Sequence, residues 1–115
     1  SRYENGYFGA KQVFEDYPKI TAIFAITDMV AIGVMHAAHQ YNVGIPDDLS
    51  VLGYDDIPLS SYVIPQLSTI AQPIKAMGEL AAHTLLTHLR DKTAPIRTVT
   101  LENTLHIRDS TQSIL

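Results

Sequence analysis

Apolar side chains at Tyr7, Ala10, Val13, Phe14 and Tyr17 recur at helical spacing, with Lys11, Gln12, Glu15 and Asp16 between them. That pattern predicts an amphipathic helix over residues 5–16, stopped by Pro18. A short continuous apolar run follows at residues 22–26 (AIFAI), β-branched and aromatic in bias. It reads as a strand covered on both faces of a parallel sheet. Thr27 and Asp28 then supply a helix N-cap. Residues 29–41 (MVAIGVMHAAHQY) are apolar nearly all round for two turns, so this helix is covered on more than one side, with Gly44 as its stop.

The second half repeats the alternation. Residues 50–53 (SVLG) read as a second buried strand, 54–65 as a loop rich in turn formers, and 68–71 (STIA) as a third strand. Pro73 takes the first position of the longest helix, whose apolar face runs through Ile74, Met77, Ala81, Leu85 and Leu89 to Arg90. Residues 98–101 and 104–107 read as short strands before a polar, frayed tail. Strand and helix alternate through most of the chain, which implies an α/β fold with right-handed crossovers and a mainly parallel sheet with flanking helices. Ligands of such sheets bind beyond the carboxyl ends of the strands. Thr27-Asp28 and Tyr54-Asp55-Asp56 fall there.

Length and composition narrow the function classes. A chain of 115 residues, 46% hydrophobic and 17% charged, is one ordinary globular domain that can bury roughly 65% of its unfolded surface. Cysteine is absent, which excludes disulfides, thiolate catalysis and cysteine-ligated metals. The net charge is −4, and no Lys or Arg occurs between Ile20 and Ile74, where five acids stand. Nucleic-acid affinity comes mainly from Lys and Arg on phosphates, so this stretch is no DNA-contact surface. No apolar run approaches the length of about 18 residues that a membrane span needs, and the N-terminal SRYENGY has no signal-peptide pattern.

The text of residues 21–73, TAIFAITDMVAIGVMHAAHQYNVGIPDDLSVLGYDDIPLSSYVIPQLSTIAQP, resembles the effector-binding core of the lactose-repressor (LacI/GalR) family of bacterial transcription regulators. The likeness rests on Ala22, Phe24, Asp28, Ala31, Gly33, Ala37, Gly44, Pro46, Asp48, Ser50, the GYDD of residues 53–56, and Pro65, Leu67, Thr69, Ile70 and Gln72. Lys19-Ile20 stands where a proline is usual, and Ser68 replaces a threonine. More loosely it extends over residues 7–109. The resemblance implies part of a periplasmic-binding-protein-like (type I) two-lobed domain. Residues 1–71 and 102–109 would belong to the C-terminal lobe and residues 72–101 to the N-terminal lobe. Family proteins are much longer and carry a helix-turn-helix, so the chain reads as a C-terminal portion that contacts DNA only through a domain outside it.

Asp55 is the leading site candidate: a carboxylate at a strand end accepts hydrogen bonds from ligand hydroxyl or amine groups and discriminates by them. The family resemblance adds that the first Asp after Gly-Tyr contacts the effector, a sugar or nucleobase in most members. Thr27 and Gln72 match positions that reach the ligand in relatives, and Asp28 is a weaker candidate with a competing role as a cap. Asp56 reads as a loop stabiliser. The apolar excess of residues 29–39, with Tyr62 and Val63, suits an isologous homodimer interface. Its candidates are Ile32, Met35, His39, Tyr62 and Val63, on the element that the resemblance also assigns to dimer contact.

The His36/His39 and His83/His88 pairs lack a supporting third ligand, so neither metal nor cofactor is expected. No phosphate-binding Gly-rich loop, GxSxG elbow or Ser-His-Asp ordering appears. The acidic residues Asp47, Asp48, Asp55 and Asp56 resemble a phosphoacceptor cluster, yet no Lys stands between Lys19 and Lys75 to complete one. The reading is therefore a non-enzymatic, cytoplasmic, homodimeric effector-sensing module without membrane contact. The alternative is a periplasmic sugar-binding protein of the same fold.

Overall fold

The computed structural model describes residues 2–115. The first amphipathic run forms helix α1 (Tyr3–Asp16). It begins two residues before the hydrophobic period does, because Asn5 Oδ1 accepts a hydrogen bond from the Arg2 amide at 3.1 Å and caps the added turn. Strand β1 (Ala22–Phe24), helix α2 (Asp28–Gln40) and strand β2 (Ser50–Tyr54) follow. A turn of 3-10 helix (Pro58–Ser61), strand β3 (Ser68–Ala71), helix α3 (Ile74–Arg90) and strand β4 (Thr104–His106) complete the chain. The sheet order is β1-β2-β3-β4. The first three strands are parallel, with Phe24 beside Leu52 and Leu52 beside Ser68. The α/β, mainly parallel architecture expected from the alternation is present.

The chain divides into two compact units, Ser1–Ala71 with Leu105–Leu115, and Gln72–Thr104. In the larger unit α1, α2 and the sheet share one core of Ala10, Phe14, Ala31, Val34, Ala37, Leu49, Val51 and Leu67 among others. The two helices meet almost backbone to backbone. A Cβ at Gly33 would lie 2.1 Å from the carbonyl oxygen of Tyr3, and one at Gly6 would lie 1.9 Å from that of Val30. Only hydrogen fits at either position. That close approach explains why α2 is so apolar: it covers the sheet on one side and receives α1 on another.

Several expectations need correction. β1 is covered on one face only, since Phe24 and Ile26 are 62% and 71% exposed. Helix α2 ends at Gln40, four residues before Gly44, and its stop is Asn42, which takes the left-handed conformation (φ 57). The Val43 amide donates to the Ala38 carbonyl at 2.8 Å and the Asn42 amide to that of His39, a Schellman-type end. Gly44 instead donates its amide to Asp48 Oδ2 at 2.8 Å. Pro73 is the N-cap residue of α3, one position earlier than expected, with its carbonyl accepting from the Met77 amide. Residues 98–101 form no strand. The C-terminal tail, read as frayed, is packed. Ser110 is fully buried, exchanging backbone and side-chain hydrogen bonds with Val51, Gln66 and Ser68 between β2 and β3.

In the smaller unit α3 has no buried side chain, and Leu85 and Leu89 of its apolar face are each 59% exposed. An apolar groove of about 550 Å³ runs between this helix and the segment after it, lined by Met77, Leu80, Leu85, Ile96, Val99 and Leu101.

The α1–α2 crossing gives a direct test of packing. Gly33→Ala is expected to lower the unfolding free energy by about 2 kcal/mol, the usual size of a forced overpacking, read as a reduced urea midpoint. An unchanged midpoint would mean that the helices slide apart at no cost.

Candidate functional site

The carboxyl ends of β1, β2 and β3 carry the residues singled out by the sequence, and a buried polar network shapes them. Thr27 is the N-cap of α2, half-buried, with Oγ1 accepting from the Val30 amide at 3.2 Å. Asp28 behaves differently from a ligand contact. It is fully buried, and both of its carboxylate oxygens are engaged. Oδ1 accepts from the Thr69 hydroxyl at 2.6 Å on β3, and Oδ2 accepts from the Ile57 amide at 2.8 Å in the loop after β2. The expectation that Asp28 reaches the effector is therefore replaced by a positioning role. Gly53 on β2 makes room for it: a Cβ there would come within 2.2 Å of Asp28 Oδ1.

Asp55 follows the last residue of β2, half-buried, with its amide donating to the Ile70 carbonyl at 2.9 Å. Asp55 and Asp56 both have positive φ, 116 and 55, a conformation that costs non-glycine residues on the order of 1–3 kcal/mol and needs external support. The Asp56 amide donates to Thr69 Oγ1 at 3.2 Å. Its carboxylate receives Arg108 Nη2 at 2.8 Å and the Ser60 hydroxyl at 3.1 Å, and His106 Nε2 lies 3.8 Å from Oδ2. Partial burial pushes the Asp56 carboxyl upward. The hydrogen bonds from Arg108 and Ser60, with the charges of Arg108 and His106, outweigh that and hold it below the ordinary aspartate value.

Thr27, Asp28, Asp55 and Asp56 thus gather in the larger unit, while Gln72 opens the smaller one, with its carbonyl accepting from the Ile74 amide. Arg108 is the member of this hydrogen-bond network that the sequence reading did not single out. The signal was present in the period-two pattern of 105–108 (LHIR), which puts His106 and Arg108 on the face opposite the apolar Leu105 and Ile107. Of the interface candidates, Met35 needs correction: at 9% exposed it belongs to the core. Ile32 and Val63 are half-buried against that core, His39 is exposed, and Tyr62 is 74% exposed. His36 contributes its ring to an aromatic stack with Tyr3 and Tyr7 and hydrogen-bonds the Tyr3 hydroxyl. Among the described residues no three His, Cys, Asp or Glu side chains converge as metal ligands, and no helix is long and apolar enough to cross a membrane.

A parallel sheet with its polar loops at the strand ends defines an open α/β ligand-binding domain. Residues 3–111 match the periplasmic binding protein-like domain, and the chain belongs to that family, in its LacI-type regulator branch. It is 39% identical over 112 residues to the ribose operon repressor of Haemophilus influenzae, covering 97% of this chain and 34% of that protein. A LacI family transcriptional regulator from Arthrobacter sp. FB24, solved in complex with lactose, superposes with a TM-score of 0.88 at 30% identity, covering 97% of this chain and 42% of the other. A LacI family regulator from Enterococcus faecium with bound ribose gives 0.86 at 30% identity, covering 96% and 40%. The chain therefore spans about a third of the length of the curated relatives it matches.

The lowered Asp56 carboxyl makes a signed pH prediction. Its contribution to stability is fully present above the unfolded value of 3.8 and is lost as pH falls through the lower folded value. Asp56→Asn, which does not titrate, should be less stable than wild type at pH 6, and the gap in unfolding free energy should narrow below pH 4. A gap that stays constant down to pH 2 would show that the carboxylate charge contributes nothing to the loop.

Proposed function

We propose that this chain is the effector-sensing part of a bacterial transcription regulator, which binds a small molecule of the sugar or nucleobase class and performs no chemistry on it. One observation carries the reading: a carboxylate, Asp55, stands at the carboxyl end of β2 on a loop fixed by buried hydrogen bonds. An anchored carboxylate accepts hydrogen bonds from paired hydroxyls and penalises analogues that lack them. The sugars bound in the LacI-family neighbours from Arthrobacter and Enterococcus support a polyhydroxylated ligand. Thr27, one strand over, is the second contact; Gln72 is proposed separately, as a ligand-facing residue of the smaller unit.

Effector binding would shift the populations of a longer protein and so alter DNA affinity in a helix-turn-helix domain outside these residues. Such a regulator works in the cytoplasm. The division after Ala71 supports assigning residues 72–101 to an N-terminal lobe and residues 1–71 with 105–109 to a C-terminal lobe, while residues 102–104, proposed for the C-terminal lobe, fall in the smaller unit. The bare apolar face of α3 is the side that the remainder of the N-terminal lobe would cover. The regulator acts as a homodimer through the exposed side of α2 and the loop before β3, with Ile32, His39, Tyr62 and Val63 at the contact; Tyr62 is the most exposed of them.

Calorimetric titration of the intact protein with D-ribose, lactose and a panel of purine bases tests the effector reading. At least one compound should bind, and Asp55→Ala should weaken it 100-fold or more, as loss of a charged hydrogen-bonding partner does. Undiminished binding in that variant would remove Asp55 from the site. The dimer is tested separately: Tyr62→Asp with His39→Asp should sediment as a monomer, and a variant that remains dimeric would displace the interface from this face.

A further inference from the structure

We infer that Arg108 is a positioning residue for effector recognition, its guanidinium fixing through Asp56 the loop that carries Asp55. The inference rests on the reading of Asp55 given above, and the geometry that supports it lies wholly within the larger unit. Two successive non-glycine residues with positive φ persist only where the surroundings over-determine them. Here the determinants come from two sides. From the interior, Asp28 and Thr69 take the amides of Ile57 and Asp56. From the C-terminal segment, Arg108 takes the Asp56 side chain.

The guanidinium is used as a fork. Nη2 donates to Asp56 Oδ1 at 2.8 Å, while Nη1 donates to the Ser60 hydroxyl and to the Leu67 carbonyl, each at 2.9 Å. The one proton of the Ser60 hydroxyl is shared between Asp56 Oδ1 at 3.1 Å and the Ile57 carbonyl at 2.7 Å. One planar cation thereby ties the loop to the start of β3, and its own backbone amide is anchored on Ser68 Oγ at 2.7 Å. A lysine has no fork and can hold only part of this set. The side chain is 19% exposed and lies outside the hydrophobic core. Its loss frees the loop before it disturbs the packing of α1 and α2.

Amide hydrogen exchange in the intact, ligand-free protein decides the point, with D-ribose titration as the functional arm. In Arg108→Ala the amides of Asp55, Asp56 and Ile57 should exchange at least 10-fold faster, with those of Ala37 and Ala38 in α2 unchanged. Arg108→Lys should fall between the two, and Asp56→Asn should reproduce the alanine result if Arg108→Ala fails to accumulate as folded protein. The dissociation constant for D-ribose should rise about 10-fold in Arg108→Ala. Loop amides that keep their wild-type rates would overturn the inference, and so would acceleration of α2 by the same factor as the loop, which marks a purely structural role. Failure of the wild-type protein to bind D-ribose would count against ribose as the effector alone, and the exchange result would still decide what Arg108 does.

Discussion

A single buried carboxylate organises the functional end of this fold. Asp28 sits in the first turn of α2, where the helix N-terminus favours negative charge, and its two oxygens reach elements distant in sequence. One holds the hydroxyl of Thr69 on β3, the other the amide of Ile57 beyond β2. Burying such a group is costly unless each acceptor is satisfied, and here both are. The same requirement constrains its neighbours: Gly53 must lack a side chain to admit it, and Thr69 must carry a hydroxyl that donates to Asp28 while accepting from Asp56. The loop geometry follows from this arrangement.

Much of this was legible in residues 21–73. Periodicity separated strands from helices because apolar runs of different length answer to different periods, and the resemblance to the LacI family singled out GYDD before any coordinates. What escaped the sequence has a common cause. Asp28 was ambiguous because an aspartate after a strand reads equally as cap, ligand contact or interior anchor. Only its own full burial and its hydrogen bonds to groups 29 and 41 residues away decide. Met35 looked like interface because apolarity marks burial without saying what does the burying. Ser110 and Arg108 lay in a tail whose polarity suggested solvent, although polar side chains can serve buried backbone groups: Ser110 Oγ accepts from the Ser68 amide and donates to the Val51 carbonyl.

The two units differ in how far they satisfy themselves. The larger one closes its core through a helix crossing so tight that glycine is required at Gly6 and Gly33. The smaller one leaves an amphipathic helix with none of its side chains buried. A helix of that character draws most of its stability from tertiary packing. The larger unit has an open face of its own at β1, where Phe24 stands exposed on an edge strand and Ile26 just beyond it. Both exposed surfaces fit a chain that spans a third of its relatives' length.

The loop after β2 holds two aspartates in a backbone conformation that suits glycine better. Glycine at positions 55 and 56 would adopt the observed backbone with no steric cost, yet aspartates stand at both. A glycine at 56 would lose the carboxylate that Arg108 and Ser60 grip, and the loop would rely on amide contacts alone. On the proposed reading of Asp55, a glycine at 55 would leave no carboxylate to read a hydroxyl. The strain is therefore tied to the side chains: the Asp56 carboxylate, gripped by Arg108 and Ser60, anchors the turn whose backbone carries Asp55. A proposed site on so fixed a backbone would meet its ligand with little ordering left to do.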